Sequence, residues 1–236
     1  MPRAAKWFGD VVESLMASKM PVLTVTEACY VNPRMKRIRL EGDLNGLDFQ
    51  LGYAIFIRVS DTEYRNYTAS FADVKNGILE LLVFLHSDAP GCRFIKKLHA
   101  GDKVRIGMPR GIKQYNAAIQ RQVFFGDETS LALACSFYSF LKKNDHIFRF
   151  YFELDASSED LPRLLGLENF IIFSKENLKR ELPALPFFLQ PEWLDANFIL
   201  TGNVQSVQTC KKLLKKNNVR GRIFAQGYWM EGKTGL

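Results

Sequence analysis

The pattern of apolar residues changes near residue 120, and this change constrains the fold more than any other feature. From residue 21 to about residue 107, apolar residues alternate in short runs separated by turn signals such as Asn76-Gly77 and Gly101-Asp102. Six or so short strands at this spacing predict a small antiparallel β-barrel. After residue 120, strand-like runs alternate with helix-like runs. That alternation predicts an α/β domain with a parallel sheet and helices on its faces.

We therefore expect an N-terminal helix within residues 1–20, a barrel domain at 21–115 and an α/β nucleotide-binding domain at 120–236. The boundary is predicted within Pro109–Ile119. The predicted barrel strands are 22–26, 37–40, 53–59, 64–71, 78–84 and 103–107, with a short helix at 93–98. The predicted α/β strands are 122–125, 146–154, 170–173, 198–202 and 222–225. Helices are predicted at 128–143, 158–165 and 206–216, with brief helical pieces at 177–182 and 191–194.

Other features narrow the class of protein. No apolar run reaches the roughly 18 residues that span a bilayer, so membrane insertion is not expected. Residues 6–20 carry Asp10 and Glu13 among apolar residues, which predicts an amphipathic helix and not a signal peptide. The cysteines are far apart and form no Cys-x-x-Cys pair, which argues against a metal site and indicates a reducing cytoplasm.

The net charge of +7 favours anionic partners, which include nucleotides, anionic chelates and nucleic acid. Because the basic residues are spread along the chain, nucleic-acid binding is not expected. The densest basic group lies on a predicted helix and comprises Lys211, Lys212, Lys215 and Lys216. This group is either a solvated helix face or a surface that attracts an anionic partner.

Arg65-Asn66-Tyr67-Thr68 places a cation, a flat ring and a hydroxyl within one predicted strand. Alternate side chains of a strand share a face, so Arg65 and Tyr67 should point one way and Asn66 and Thr68 the other. A guanidinium can clamp a diphosphate, and a phenol ring can cover a flat heterocycle. The motif fits either a flavin dinucleotide site or an ordinary strand with an exposed arginine.

Gly126-Asp127-Glu128-Thr129 follows the first strand of the predicted α/β domain and opens a helix. Ligands of open α/β sheets bind at the carboxyl ends of strands, where helix N-termini suit phosphate. The segment lacks the Gly-x-Gly-x-x-Gly fingerprint. Asp127 and Thr129 are therefore either nucleotide-site residues or simple helix caps.

Taken in order, these motifs resemble the siderophore-interacting protein family, a branch of the ferredoxin–NADP reductase-like flavoproteins. The resemblance covers roughly residues 20–232. The segments that carry it are Met35–Leu40, Arg65–Thr68, Val83–His86, Ala89–Phe94, Gly101-Asp102, Met108–Gly111, Thr201–Asn203 and Gly227–Trp229. Five residues depart from the family's pattern, namely Ala89, Cys92, Ala132, Asn203 and Met230. At the phosphate-binding helix, the thiol of Cys92 is a weaker donor than the usual hydroxyl.

The resemblance implies FAD as cofactor. Arg65 would bind its pyrophosphate, Tyr67 would pack against the isoalloxazine ring, and Thr68 would hydrogen-bond the ring edge. Asn66 belongs to the same strand motif. His86 would line the adenine or ribitol side, although it could equally be a packed core residue. The helix that receives the pyrophosphate would be opened by Gly91, Cys92 and Arg93.

The resemblance also implies a site for NAD(P)H in the second domain. Gly126, Asp127, Glu128 and Thr129 would lie beside the nicotinamide nucleotide. Tyr228 and Trp229 would lie near the other face of the flavin, although they could equally fill an edge of the core. The acidic segment Glu153–Asp160 follows the second strand and would repel a 2′-phosphate, which weakly favours NADH.

The function implied is that of a cytoplasmic FAD-dependent NAD(P)H oxidoreductase that releases iron from a small-molecule ferric siderophore by reducing Fe(III) to Fe(II). The lysines of the basic helix, Lys211, Lys212 and Lys215, would attract the chelate. Three alternatives stay open at this point. They are a flavin reductase that serves a protein or free-flavin acceptor, a non-catalytic flavin- or chelate-binding protein, and a basic RNA-binding barrel.

Overall fold

A computed structural model describes residues 20–185 and 190–232 of the chain. The chain divides into two compact units, the first ending at Lys113 and the second beginning at Gln114. Apart from Met20, the helix predicted for residues 6–20 lies outside the described residues. Among the helices of the described ranges, none is long and apolar enough to cross a membrane.

The first unit is a nearly closed antiparallel barrel. Its strands are β1 (Val22–Asn32), β2 (Met35–Glu41), β3 (Ala54–Arg58), β4 (Tyr64–Asp73), β5 (Ile78–Phe84) and β6 (Lys103–Arg105), in the order β3-β4-β5-β2-β1-β6. Isolated bridges from Ile57 to Ile106 and from Ala54 to Arg110 bring the two ends of the sheet together. Helix α1 (Pro90–Lys97) connects β5 to β6. The barrel predicted from the alternating pattern is therefore confirmed.

Alternation along the strands creates the core of the barrel. Ile38 and Leu40 of β2, and Leu79 and Leu81 of β5, are fully buried, while the residues between them are more exposed. Ile55 of β3 belongs to the same cluster. Burial of a large aliphatic side chain contributes roughly 1.5–3 kcal/mol, so these positions fix which face of each strand points inward.

The second unit is a five-stranded parallel sheet with helices. Its strands are β7 (Arg121–Gly126), β8 (Ile147–Leu154), β9 (Phe170–Ser174), β10 (Asn197–Asn203) and β11 (Ile223–Trp229), in the order β11-β10-β7-β8-β9. The α-helices are α2 (Leu131–Lys143), α3 (Leu161–Leu164), α4 (Leu178–Glu181) and α5 (Val204–Lys216). Single 3₁₀ turns lie at Glu128–Ser130, Ala156–Ser158, Lys175–Asn177, Leu182–Ala184 and Pro191–Trp193. The predicted α/β architecture is confirmed.

The strand order reverses between β7 and β10. In an open parallel sheet, the crevice at such a reversal is the usual place for a ligand, because the helices that follow the two strands diverge there. Here β7 ends at Gly126 and β10 ends at Asn203. This edge of the sheet, which we call the switch-point edge, is therefore where the second unit is expected to bind a nucleotide.

Candidate functional site

In the first unit, the structure places Arg65 and Tyr67 on one face of β4. They lie opposite Ile57 and Ile55 of β3, both of which are buried. Asn66 lies on the other face of the strand and is exposed. The predicted separation of Arg65 and Tyr67 from Asn66 is thus observed in the register.

Arg65 and Tyr67 meet the first turn of α1 at Gly91. The Tyr67 hydroxyl donates to the Gly91 carbonyl oxygen over 3.4 Å. A Cβ atom at residue 91 would lie 3.0 Å from the Tyr67 hydroxyl and 3.1 Å from Arg65 Cγ, so a larger residue would push both side chains away. Burial raises the pKa of Tyr67, so its phenol stays protonated at neutral pH.

Arg65 and Arg93, the two arginines of the predicted flavin site, each have an acidic partner within the chain. Arg65 Nη2 lies 3.1 Å from Glu63 Oε1, and Arg65 Nη1 donates to the Tyr64 carbonyl oxygen over 2.9 Å. Arg93 Nη1 donates to the Asp88 carbonyl oxygen and lies 3.4 Å from its carboxylate. The guanidinium charges offered to a ligand are therefore partly offset.

The other residues predicted to contact the flavin lie on α1, just after β5 and on the opposite face of β4. Cys92 is buried in the first turn of α1. His86 is exposed just after β5 and stacks on Phe84, with ring centroids 6.5 Å apart. Thr68 pairs with Ala54 and shares the strand face of Asn66. The structure thus groups Arg65, Tyr67 and Gly91 and leaves Asn66 and Thr68 on the opposite face of β4.

Sequence reasoning missed Lys36, which fixes the other end of α1. Its side chain is buried, and Nζ donates to the carbonyl oxygens of Ile95, Lys96 and Leu98 over 3.1, 3.0 and 2.8 Å. A cation at a helix C-terminus satisfies its unpaired carbonyl groups and complements the helix dipole. Burial lowers the pKa of Lys36, although the nearby Asp102 opposes this. Because Met35 and Lys36 are both buried, simple alternation along the strand could not reveal it.

In the second unit, Asp127 joins the ends of three strands at the switch-point edge. Its Oδ1 accepts from the Thr129 amide over 2.9 Å and from the Thr129 hydroxyl over 2.5 Å. Its Oδ2 accepts from the Asn203 amide over 2.8 Å and from the Trp229 indole over 2.7 Å. Gly202, with a φ of +103°, allows this approach, because a Cβ atom there would lie 2.6 Å from Asp127 Cγ.

Most of the amides offered at this edge are satisfied within the chain. The Thr129 and Asn203 amides bond to Asp127, and Asn203 Oδ1 accepts from the amides of Gln205 and Ser206 at the start of α5. The bonds of Asp127 with Thr129, and of Asn203 with Gln205 and Ser206, are helix caps of the usual kind. A phosphate bound at this edge would have to displace a capping side chain or use other donors. In this structure Asp127 therefore acts as a helix cap.

Glu128 is buried and stabilises the loop after β8. Its Oε1 accepts from the Asp155 amide over 2.8 Å, and its Oε2 lies 2.9 Å from Lys175 Nζ. Lys175 also lies 3.2 Å from Asp155 Oδ1. Burial raises the pKa of Glu128 despite these contacts, whereas at Lys175 the two carboxylates outweigh burial and raise the pKa.

Glu153, near the end of β8, is a buried carboxyl group that the sequence did not single out individually. Burial is the main cause that raises the pKa of Glu153 to about 7, and the carboxylates of Asp127 and Glu128 add to it. A hydrogen bond with Ser206 and the charge of Lys175 act in the opposite direction. The group therefore titrates near neutral pH beneath the switch-point edge.

The C-terminal aromatic residues lie in and beside a bulge of β11. Gly202 pairs with Gly227 and Asn203 pairs with Trp229, so Tyr228 is the additional residue. Both aromatic side chains are half-buried. Their predicted contact with the flavin stays a prediction.

The basic residues predicted to attract a chelate lie along α5, which starts at the switch-point edge. At 1.5 Å per residue, Lys215 is about 18 Å along the helix from Asn203. Lys212 and Lys215 are exposed and Lys211 is half-buried. Within the second unit, these side chains follow the helix away from the strand ends, so the structure does not bring them to Asp127.

Comparison with known proteins adds to this geometry. Residues 21–115 match the family model of the oxidoreductase FAD-binding domain. None of the curated proteins compared with this chain matches it in sequence.

Several solved structures have the same fold. A siderophore utilization protein from T. fusca is 23% identical with a TM-score of 0.67, and the match covers 92% of this chain and 95% of that one. The siderophore-interacting protein SipS from Aeromonas hydrophila is 19% identical with a TM-score of 0.72, over 91% and 93% of the two chains. Ferredoxin–NADP⁺ reductase from Plasmodium falciparum is 12% identical with a TM-score of 0.66, over 89% and 97%.

The predicted resemblance is confirmed by these structures, and the family match assigns the barrel. The cluster of Arg65, Tyr67 and Gly91 lies within the matched residues, and the switch-point edge lies in the α/β unit that follows. The chain therefore contains an oxidoreductase FAD-binding domain at residues 21–115 and has the fold of siderophore-interacting proteins and ferredoxin–NADP⁺ reductases.

Proposed function

We propose that this flavin oxidoreductase takes electrons from NAD(P)H and passes them to the iron of a ferric siderophore. The observation that carries the proposal is the contact of Arg65 and Tyr67 with Gly91 at the first turn of α1. A guanidinium suits a diphosphate, a phenol ring suits a flat heterocycle, and bare backbone at a helix N-terminus suits a phosphate. In this proposal, residues 21–115 bind FAD and residues 120–236 bind NAD(P)H.

FAD, when bound, can take up the two electrons of a hydride and release them singly, as reduction of Fe(III) to Fe(II) requires. The chain contributes position and electrostatics. Tyr67, held at its hydroxyl by Gly91, presents a fixed ring, and Arg65 supplies a cation beside the start of α1. No side chain has to act as a general base. Iron is released because Fe(II) is less charged and softer than Fe(III), so anionic oxygen ligands hold it less tightly.

Two proteins of the same fold support the ferric siderophore as acceptor, since one is a siderophore utilization protein and the other a siderophore-interacting protein. The positive net charge of the chain is also suited to an anionic chelate. A protein or free flavin is the alternative acceptor, because ferredoxin–NADP⁺ reductases share the fold.

The second unit favours NADH as donor in this proposal. Asp155 follows β8, at the position where an acidic residue commonly binds the ribose of NADH and repels the extra phosphate of NADPH. Lys175, 3.2 Å from Asp155, offsets part of this charge, whereas Glu159 and Asp160 of the same loop are exposed. We expect Asp155→Asn to raise the ratio of NADPH to NADH turnover, and an unchanged ratio would contradict the preference.

One observation favours a second candidate, a non-catalytic flavin-binding protein. The amides of Thr129, Asn203, Gln205 and Ser206 at the switch-point edge are already bonded to side chains. A site whose donors are occupied binds a phosphate less well than a site with open amides. Such a protein would hold FAD but would not oxidise NAD(P)H.

The test is anaerobic reduction of the FAD-loaded protein by NADH and by NADPH, followed by a ferric trishydroxamate or triscatecholate complex. We expect the flavin absorbance to bleach and then to return as a chromogenic chelator traps Fe(II). Return only with free flavin or a protein acceptor would refute the siderophore acceptor. A flavin that neither nucleotide reduces would favour the non-catalytic candidate.

A further inference from the structure

We propose that Glu63 weakens the binding of flavin phosphate groups by competing for Arg65. FAD is then bound less tightly than it would be if Arg65 had no carboxylate beside it. The inference rests on the proposed function of this cluster as an FAD site. Glu63 Oε1 lies 3.1 Å from Arg65 Nη2, and the side chains are 16% and 28% exposed. The carboxylate thus occupies one side of the guanidinium that a pyrophosphate would use.

The position of Glu63 is fixed by the turn between β3 and β4. Its carbonyl oxygen accepts from the Val59 amide over 2.9 Å and from the Ser60 amide over 3.4 Å. Its second carboxylate oxygen accepts from the Ser60 hydroxyl over 3.4 Å. Because both backbone and side chain are bonded to the turn, the carboxylate is held near Arg65 when a ligand arrives.

Glu63 shares a strand face with Arg65 and Tyr67. The hydrogen bond from Val59 to Glu63 continues the register in which Ile57 lies opposite Arg65. Residues two apart along a strand point to the same side, so Glu63 faces the side on which Gly91 meets Arg65 and Tyr67. A pyrophosphate bound by Arg65 and the start of α1 would therefore lie close to a negative charge.

Charge and geometry at Arg65 can be separated by one substitution. Gln in place of Glu63 keeps an oxygen that can accept from Arg65 Nη2 but removes the negative charge. The guanidinium then stays oriented while its charge is no longer offset. A guanidinium with no carboxylate beside it attracts a diphosphate more strongly. For one partly screened charge, the affinity should rise about fivefold. The increase should shrink as salt is raised, because salt screens partly exposed charges.

The experiment compares FAD with riboflavin, which has the same ring but no phosphate. Dissociation constants are measured by flavin fluorescence for the full chain, for Glu63→Gln and for a matched control, Glu80→Gln. Glu80 is a carboxylate of the same barrel, 3.2 Å from Arg39. It lies opposite Phe71 of β4, about 20 Å along the strand from Arg65.

We expect Glu63→Gln to tighten FAD binding about fivefold at low salt, to change riboflavin binding less than twofold, and to differ in both respects from Glu80→Gln. FAD binding that is unchanged or weaker, or an equal change for both flavins, would overturn the role of Glu63 while leaving the FAD site intact. A parent chain that binds neither flavin would overturn the proposed function and this inference together.

Discussion

Glu153 should make the stability of the second unit fall as pH rises through neutrality. The residue is 5% exposed on β8, and burial raises the pKa of its carboxyl group from an ordinary 4.5 to about 7. Between these values the folded chain holds a proton that the unfolded chain has released. The contribution of this proton to the stability of the folded state is therefore complete below pH 4.5. It is lost as pH rises through about 7.

The magnitude follows from the difference between the two pKa values. Moving from 4.5 to about 7 corresponds to about 3 kcal/mol over the whole titration, most of it between pH 5 and pH 8. Glu153→Gln removes the titration but keeps an oxygen that can bond to Ser206. We expect the variant to differ little from the parent at pH 5 and to be more stable by about 2–3 kcal/mol at pH 8.

The assay is urea unfolding at pH 5 and pH 8, followed by tryptophan fluorescence. Trp193 is buried in the core of the second unit, and Trp229 belongs to the same unit, so a Trp7→Phe background restricts the signal to it. Glu159→Gln, which removes an exposed carboxylate from the loop after β8, is the matched control. A stability difference between Glu153→Gln and the parent that is the same at both pH values would mean that Glu153 does not titrate with a raised pKa.

Three further substitutions test the contacts that build the two sites. Gly91→Ala should weaken FAD binding by tenfold or more in a fluorescence titration, because its Cβ would lie 3.0 Å from the Tyr67 hydroxyl. Lys36→Met should lower the unfolding free energy of the first unit by about 2–3 kcal/mol in urea, because three carbonyl groups lose a charged donor. Asp127→Asn should destabilise the second unit by about 2–4 kcal/mol in urea, because the amide nitrogen cannot accept from Trp229 and Asn203.

Each of these substitutions has an outcome that would contradict its premise. Unchanged FAD affinity in Gly91→Ala would mean that the start of α1 does not contact the flavin. Full stability of Lys36→Met would mean that another group satisfies the end of α1. An Asp127→Asn variant as stable as the parent, with unchanged Trp229 fluorescence, would remove Asp127 as the link between β7, β10 and β11.

The periodicity of apolar residues along the sequence predicted the strands of both sheets. The alternation of β2 and β3 and the continuous apolar runs of β7 and β10 predicted both sheets correctly, since burial of one or both faces determines these patterns. The boundaries were less well predicted. Strand β1 extends to Asn32, well beyond the predicted end at residue 26, because bulges in its pairing with β2 interrupt the alternation there.

The candidate sites were predictable only where their residues are close in sequence. Arg65 and Tyr67 share a face because they are two apart in a strand. The bonds of Asp127 to Asn203 and Trp229 join residues 76 and 102 positions apart, and only the parallel order of β7, β10 and β11 brings them together. Lys36 likewise contacts α1 about 60 residues later in the chain, at a position that its charge would place on the surface.

The proposed function requires that the chain carries FAD and accepts electrons from a nicotinamide nucleotide. The most direct test is the visible spectrum of the freshly purified protein, supplemented with FAD if necessary, before and after anaerobic NADH. We expect a flavin spectrum that bleaches on addition of NADH. A protein that is colourless and takes up no added FAD, or a bound flavin that stays oxidised with both NADH and NADPH, would contradict it.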